Sequence, residues 1–245
     1  MTPDSTSPDF QYSGTDNLEV MAEAVNYNAF LANMIERICH GSRLIVDFGA
    51  GSGTFAEIVR AQGHDVACIE PDPAQAANLG AAGFPTFASC SEMKPASADA
   101  VYTLNVLEHI EDDAAAVRAI ADILRPGGRL LVYVPAFPIL YGAMDRKVGH
   151  VRRYRRRQLV SLLEKAGFTV EHSAYADSLG FAASLAFNAI GSGDGSLNSK
   201  AIILYDRIIF PISRLIDTVT AKLFGKNTYA VAMKPIASGK AGTPA

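Results

Sequence analysis

The sequence has few cysteines and no long apolar run, and each scarcity excludes a class of protein. Cys39, Cys68 and Cys90 are its three cysteines, and no two of them form a Cys-x-x-Cys pair. An odd, scattered set favours buried thiols in a reducing cytoplasm over a disulfide framework. A chain of 245 residues can bury a core without disulfides or a structural metal. We therefore expect a cytoplasmic globular protein.

The chain also lacks the features of a secretory signal and of a membrane-spanning helix. Its first residues, MTPDSTSPDF, carry acids and prolines where a signal needs a basic start and an apolar run. The longest stretch without charge covers residues 178–193 and contains glycines, whereas a spanning helix needs about 20 apolar residues. We expect loose tails over residues 1–16 and 236–245 around a single domain over 17–235.

Apolar runs alternate with helical segments, which is the pattern of a parallel sheet with helices on both faces. Strands are predicted at 43–48, 66–70, 99–104, 129–135, 168–175 and 228–235. Helices are predicted at 25–38, 54–63, 72–83, 111–128 and 155–168, with a helical insertion at about 178–225. The expected fold is a doubly wound α/β sheet, which binds its ligand at the carboxyl ends of the strands.

Three glycines follow the first predicted strand in the segment VDFGAGSGTF. Gly49, Gly51 and Gly53 let the backbone turn tightly and approach a ligand, and the following helix presents free N–H groups. A dinucleotide-binding Gly-x-Gly-x-x-Gly pattern would need glycine at position 54, where this chain has threonine. The spacing disfavours an NAD-linked oxidoreductase, while a plain glycine turn stays open.

VDFGAGSGTF resembles the first motif of class I S-adenosylmethionine-dependent methyltransferases, and IEPD, ASCSE, LNVLEHIEDD and LRPGGRLLVYVP match later motifs in order. The resemblance covers residues 27–168 and is similar to the subgroup related to ubiquinone-pathway O-methyltransferases. It implies a Rossmann-like, doubly wound sheet of seven strands, mostly parallel, with a helical insertion before the last strand. It also implies S-adenosyl-L-methionine as cofactor and S-adenosyl-L-homocysteine as product.

The same resemblance assigns the cofactor contacts. Asp47 would hold the amino group, and Glu70 would accept hydrogen bonds from both ribose hydroxyls, which suits a carboxylate. Ser89 and Cys90 would enclose adenine, and Tyr27 would either close over the methionine end or simply pack in the core. The complete predicted set is Tyr27, Asp47, Gly49, Ala50, Gly51, Gly53, Glu70, Pro71, Ser89, Cys90, Asn105 and Val106.

Glu108 and His109 follow the fourth strand, beside the expected position of the cofactor's methyl group. Methyl transfer is an in-line displacement that gains most from positioning, but an acceptor hydroxyl must also lose a proton. A histidine with an ordinary pKa near ~6.5 suits that task, so His109, His150 and Glu108 are the candidate catalytic residues. In the alternative, His109 only packs the loop.

A metal is the other interpretation of the same residues. Ubiquinone-pathway and small-RNA 2'-O-methyltransferases carry Glu-x-x-Glu-His here as metal ligands, and this chain has Asn105 in place of the first glutamate. An amide oxygen can still bind a hard cation and His150 could add a ligand, but the lost carboxylate disfavours binding. We expect no metal.

The segment MDRKVGHVRRYRRRQL holds seven of the 22 Lys and Arg residues, although the net charge is -3. Residues 145–154 resemble an Asp-x-x-x-Gly-His-x-Arg-Arg-Tyr loop of uncharacterised bacterial methyltransferases, predicted at the carboxyl edge of the sheet. An arginine there can grip an anion. In the alternative, Asp145 pairs with an arginine and fixes the loop, and residues 155–157 are the solvated start of a helix. The candidate substrate contacts are Asp145, Arg152, Arg153 and Tyr154.

The predicted methyl acceptor is an oxygen of a small molecule, either anionic or lipophilic. Nucleic acid is disfavoured because the rest of the surface is net acidic. Methylation of nitrogen, carbon or nucleic acid stays open, as does cofactor binding without catalysis.

The helical insertion offers one further clue to partners. Its helix pattern places Asp206, Arg207, Arg214 and Asp217 opposite Ile208, Ile212, Leu215 and Val219. The insertion could pack on the core over the active site, or its apolar face could contact a lipophilic substrate, a membrane surface or a second subunit. Both a monomer and a homodimer therefore stay open.

Overall fold

The computed structural model describes residues 23–190 and 199–236, and it confirms the predicted α/β fold. The strands are β1 (Leu44–Phe48), β2 (Asp65–Ile69), β3 (Thr86–Phe87), β4 (Ala98–Leu104), β5 (Leu124–Pro135), β6 (Thr169–Ala176) and β7 (Asn227–Met233). They form one sheet in the order β3-β2-β1-β4-β5-β7-β6, with β7 antiparallel to both neighbours and the other pairs parallel. The carboxyl ends of β1 to β6 therefore lie at one edge, and the strand order reverses between β1 and β4.

Helices cover both faces of this sheet, as predicted. They are α1 (Val25–Cys39), α2 (Thr54–Ala61), α3 (Pro73–Ala81), α4 (Asp113–Ile123), α5 (Ala143–Val148), α6 (Arg156–Lys165), α7 (Ser178–Ile190), α8 (Ser199–Leu204) and α9 (Phe210–Thr220). Strand residues alternate between two apolar cores: Val46 packs with α4 and α6, whereas Ile45 packs with α1 and α2. The strands whose carboxyl ends form this edge are therefore packed on both faces.

The helix predicted at 111–128 ends earlier, at Ile123. The segment after it belongs to β5, because the backbone at Gly127 and Gly128 pairs with Lys234 beyond β7. The register shifts there, because Ala98 pairs with Leu124 and Ala100 with Arg129, so the extra residues bulge out of β5. The Pro-Gly-Gly signal correctly predicts that the helix ends, but the predicted end lies several residues beyond the observed one.

Asp145 also differs from its predicted placement, because it lies in the short helix α5 and not in a loop. Its carboxylate accepts the backbone N–H of Gly142 at 2.8 Å. An acid in the first turn of a helix is stabilised by such free N–H groups. Residues 151–153 have no regular secondary structure, and Tyr154 forms a parallel bridge with Ala136 just after β5.

The helical insertion between β6 and β7 turns its charged side inward. Asp206 and Asp217 are each 3% exposed, whereas Leu215 and Val219 are 72% and 77% exposed. Asp206 lies in a π-helical turn, Tyr205–Ile209, that joins α8 to α9, and the chain resumes as an α-helix with a proline in its first turn. The insertion therefore packs on the rest of the protein through this charged side, and its apolar side chains face outward.

The buried acids of the insertion have partners that explain this orientation. The Asp206 carboxylate accepts the N–H groups of Asn26 and Tyr27 at 2.9 and 2.8 Å, in the first turn of α1. The Asp217 carboxylate accepts those of Asp177 and Ser178 at 2.9 and 3.0 Å, where α7 begins. Each acid thus caps another helix, and uncapped N–H groups would be costly to bury.

The cysteines are free thiols and are buried, as predicted. Within residues 23–190 and 199–236, no helix combines the length and the apolarity needed to cross a bilayer. The predicted tails lie outside the described residues, apart from Ile236.

Candidate active site

The loop after β1 (residues 49–53, the glycine loop) is built around positive backbone φ angles. Gly49, Gly51 and Gly53 have φ of 81°, 53° and 83°, which a residue with a side chain rarely adopts. A side chain at position 49 would also collide with Val106, which follows β4. The N–H of Gly49 donates to Ile69 at the end of β2, at 2.8 Å. The bare backbone therefore lies at the switch point of the sheet.

Glu70 follows β2 and faces this loop. Its Oε2 accepts the N–H of Gly51 at 2.7 Å, and its Oε1 accepts that of Asp72 at 2.9 Å. The side chain is buried, and this burial raises the pKa of Glu70 above its usual range. Each carboxylate oxygen keeps a further lone pair that can accept a hydroxyl donor. Pro71, the next residue, is exposed.

Asp47 lies on β1 just before the glycine loop, with 5% of its surface exposed. The hydroxyl of Tyr102 on β4 donates to its Oδ2 at 2.8 Å. Burial raises the pKa of Asp47 to about 7, although the hydrogen bond from Tyr102 opposes the shift. Sequence reasoning placed Tyr102 only within a strand, because nothing in the sequence shows which carboxylate a buried tyrosine will meet.

Tyr27 lies where α1 meets the carboxyl edge. Its ring makes edge-on contacts with Tyr133 and Phe210, with centroids 6.2 and 5.5 Å away. Burial raises the pKa of the Tyr27 hydroxyl to about 12. Asn105, with a strained φ of 54°, donates its N–H to the carbonyl of Tyr133 at 2.8 Å. Tyr133 is thus a central member of this group that sequence reasoning missed.

The residues predicted to enclose adenine have two different environments. The hydroxyls of Ser89 and Ser91 lie 2.7 Å apart at the surface. Cys90 is 7% exposed and belongs to the apolar core, and burial raises the pKa of its thiol to about 12. Of the two residues in the predicted set, Ser89 therefore presents its polar atom at the surface and Cys90 does not.

His150 is held by Asp145 across the turn after α5. Its Nδ1 lies 2.7 Å from Asp145 Oδ1, and the backbone carbonyl of His150 accepts the hydroxyl of Tyr141 at 2.6 Å. Burial favours the neutral acid, but hydrogen bonds from His150 and Arg153 outweigh it and lower the pKa of Asp145 to about 2. In the tautomer that carries its proton on Nδ1, the ring donates to this carboxylate, and Nε2 can accept a proton.

Glu108 and His109 complete this cluster on a short helical turn, Leu107–His109. The His109 and His150 rings meet edge to face, with centroids 4.6 Å apart. His150 Nε2 lies 3.7 Å from Glu108 Oε1. Burial raises the pKa of Glu108 to about 8 and lowers that of His109 to about 4. In the absence of a metal ion, Glu108 and His109 are therefore both mainly uncharged at pH 7.

The same three side chains can be tested as metal ligands. Ligand atoms of Glu108, His109 and His150 lie within 4.8 Å of one another. Among the described residues, neither carboxylate oxygen of Glu108 has a hydrogen-bond partner, although the side chain is fully buried. A carboxylate and two imidazoles suit a divalent cation, so this donor set fits one.

The predicted substrate contacts are engaged inside the protein. Arg153 donates to Asp145 Oδ1 at 2.8 Å and to the carbonyl of Ala136 at 3.2 Å. Arg152 pairs with Asp113 at 2.9 Å. The buried Tyr154 hydroxyl donates to the same Asp113 carboxylate at 2.7 Å. The pair of Asp145 with Arg153 is the contact that the internal-clasp alternative predicts.

A family model described as "Methyltransferase domain" matches residues 19–173. A protein of Mycolicibacterium smegmatis described as a probable S-adenosylmethionine-dependent methyltransferase is 30% identical over 146 residues, which cover 56% of this chain and 56% of that protein. Ubiquinone biosynthesis O-methyltransferase of Xylella fastidiosa strain M23 is 31% identical over 107 residues, covering 40% of this chain and 44% of that one. The chain spans about half the length of the curated relatives it matches.

Solved structures share the fold at low sequence identity. A SAM-dependent methyltransferase from Archaeoglobus fulgidus has a TM-score of 0.56 and 14% identity, covering 84% of this chain and 94% of that chain. Phosphoethanolamine N-methyltransferase 2 of Haemonchus contortus, in complex with S-adenosyl-L-methionine, has a TM-score of 0.54 and 17% identity, covering 83% and 52%. Both similarities establish the architecture alone.

Proposed function

Because the chain belongs to the methyltransferase domain family, we propose that it transfers a methyl group from S-adenosylmethionine to an oxygen of a small-molecule acceptor. The observation that carries the proposal is the position of the Asp145–His150 pair. His150 of this pair lies against Glu108. Glu108 follows Val106 by two residues, and the Val106 side chain lies against Gly49 of the glycine loop. A proton acceptor thus lies next to the proposed cofactor site.

The cofactor, when bound, supplies an electrophilic methyl group on a sulfonium. In this proposal the glycine loop lies against its methionine part, Asp47 holds the amino group, and the two oxygens of Glu70 accept the ribose hydroxyls. Two observations support the fit: the backbone of the loop is bare at Gly49, where a side chain would collide with Val106, and Glu70 is already oriented by two backbone N–H groups. Fixed donors and acceptors reduce the ordering cost of binding.

His150 is the proposed base for the acceptor hydroxyl. Asp145 orients the ring through Nδ1, so Nε2 can accept the proton while the hydroxyl oxygen attacks the methyl carbon in line with the leaving sulfur. His109 is the weaker candidate, because burial lowers its pKa to about 4. Within this scheme, Asp145 and Arg153 are positioning residues.

Oxygen is the proposed acceptor atom because a histidine base is useful for a hydroxyl, which must lose its proton. Relatives named ubiquinone biosynthesis O-methyltransferase support the same choice. Arg152 and Arg153 are both engaged by carboxylates, so the scheme assigns neither to an anionic group of the acceptor. A lipophilic hydroxyl compound fits better than a small anion.

A second mechanism uses the same residues with a divalent cation bound by Glu108, His109 and His150. The buried Glu108 carboxylate without a hydrogen-bond partner favours it. Atomic emission after dialysis against magnesium or zinc separates the two mechanisms. If the protein holds stoichiometric metal, and Glu108→Gln loses both the metal and the activity, the metal-dependent mechanism holds and the histidine-base mechanism does not.

The proposal is tested with labelled S-adenosylmethionine and a small-molecule extract. His150→Gln should lower the methyl-transfer rate by about 100-fold or more while S-adenosylhomocysteine binds with unchanged affinity. His64→Gln, which alters a histidine paired with Glu36 on the far side of the sheet, serves as the control. Full activity in His150→Gln would rule out His150 as the base.

A further inference from the structure

The outward side of the helical insertion carries a continuous apolar stripe. Its residues are Leu204, Ile208, Ile212, Leu215, Val219 and Leu223, which are 48% to 77% exposed. Their spacing of three or four positions places them along one side of the helical segment. At 1.5 Å per residue the stripe is about 28 Å long. Exposed apolar surface of this extent is typical of an interaction site.

Every exposed charge around the stripe is positive. Within residues 199–224, the exposed charged side chains are Lys200, Arg207 and Lys222, and both acids of the segment are buried. Arg214 points inward, with its guanidinium 4.0 Å from the Phe30 ring and paired with Asp217. The surface of the insertion is therefore apolar and cationic, in a chain whose net charge is -3.

The stripe continues into a basic groove at the carboxyl edge of the sheet. Lys222 and Leu223 line this groove of about 430 Å³ together with Phe137, Arg155, Arg156 and Arg157. Arg155 lies over the Phe137 ring, 5.8 Å from its centroid. Within the described part of the chain, no carboxylate lies within 4 Å of the cationic groups of these three arginines or Lys222. Four cations thus remain available to anions.

We propose that this face, the apolar stripe together with the basic groove, docks on the surface of an anionic lipid bilayer. The apolar side chains would enter the boundary between headgroups and acyl chains, and the cations would meet lipid phosphates. Docking would present the edge that holds the glycine loop and His150 towards the lipid. The inference goes beyond the proposed methyl transfer and does not depend on it.

A second copy of the chain is the competing occupant, and the charges argue against it. Two copies that met through this face about a twofold axis would bring the same cations together, with no exposed acid of the insertion to pair with them. An anionic bilayer meets both the apolar and the cationic part of the face. Charge complementarity therefore selects the bilayer.

Vesicle flotation of the full chain tests the proposal. The protein should float with phosphatidylcholine vesicles that contain phosphatidylglycerol, float weakly with pure phosphatidylcholine, and detach as salt rises. Val219→Glu should abolish most binding, whereas Ile236→Glu, at a side chain 70% exposed on the opposite edge, should not. Arg157→Gln/Lys222→Gln should weaken partition by about 30-fold.

A matched charge control is Lys94→Gln/Lys165→Gln, which removes the same charge from exposed sites elsewhere. Circular dichroism and thermal unfolding should be the same for all variants, because each altered side chain is exposed. Absent flotation, or flotation unchanged by Val219→Glu, would overturn the proposal. Light scattering that finds a dimer dissociated by Val219→Glu would also overturn it and assign the face to a second copy.

Discussion

At the residue scale, Gly49 shows how a missing side chain forms part of the proposed cofactor site. Gly49→Ala should lower S-adenosylhomocysteine affinity at least tenfold and destabilise the fold, because the methyl group meets Val106 as well as a positive φ. Gly41→Ala is the matched control: φ is 76° and the surrounding space is open. That control should cost only the backbone strain of about 1–2 kcal/mol. Isothermal calorimetry and urea unfolding measure both effects.

Equal affinity in the Gly49→Ala and Gly41→Ala variants would contradict the proposed role of the glycine loop. Destabilisation of the same size in both would show that Val106 moves aside without cost. The comparison therefore separates the effect of backbone strain, which both variants share, from the effect of the collision with Val106, which only Gly49→Ala has.

Asp47 makes a prediction about pH at the same scale. Burial raises its pKa to about 7, so its carboxylate form increases roughly tenfold between pH 6 and pH 8. An ammonium group of the cofactor requires that ionised form. Affinity for S-adenosylhomocysteine should therefore rise by about that factor over this range, as measured by calorimetry.

Asp47→Asn provides the control, because it keeps the shape but cannot ionise. The variant should bind more weakly and retain only the pH dependence of the ligand itself. An identical pH profile in the wild type and in Asp47→Asn would show that Asp47 does not hold the amino group.

At the element scale, the helical insertion stabilises a distant helix through Asp206. This acid caps the first turn of α1, and Tyr27 on that turn contacts Phe210 of the insertion. Asp206→Ala should lower the free energy of unfolding by about 1 kcal/mol or more and weaken cofactor binding by displacing Tyr27. Urea unfolding and calorimetry measure these changes.

Asp206→Asn is the conservative counterpart, because asparagine is also a strong capping residue. It should retain most of the stability and the affinity. If Asp206→Ala destabilised the fold but left cofactor affinity unchanged, Tyr27 would be a packing residue, the alternative already open from the sequence.

At the scale of the whole molecule, sequence reasoning identified most of what is local. The strands β1, β2 and β4 follow apolar runs, and the glycine loop follows a spacing that differs from the dinucleotide pattern at Thr54. Each of these signals is contained in a stretch of about ten residues, so periodicity and glycine placement suffice to find it.

Contacts between distant segments could not be predicted in the same way. Asp206 bonds to α1 across 180 positions, Tyr102 meets Asp47, and Arg153 binds Asp145 instead of standing free. A helical pattern shows which residues share a face of the helix. It does not show which face is buried, because buried acids are stabilised when N–H groups of other segments donate to them. The insertion is the clearest example, because its pattern separates a charged side from an apolar side without showing that the charged side is buried.

The most direct test of methyl transfer follows the label itself. The full chain is incubated with S-adenosylmethionine labelled in its methyl group, a small-molecule extract and total nucleic acid, and the products are separated by size. The account predicts that S-adenosylhomocysteine and labelled small molecules appear in equal amounts. Label that enters only nucleic acid, or a protein that binds the cofactor without releasing S-adenosylhomocysteine, would contradict it.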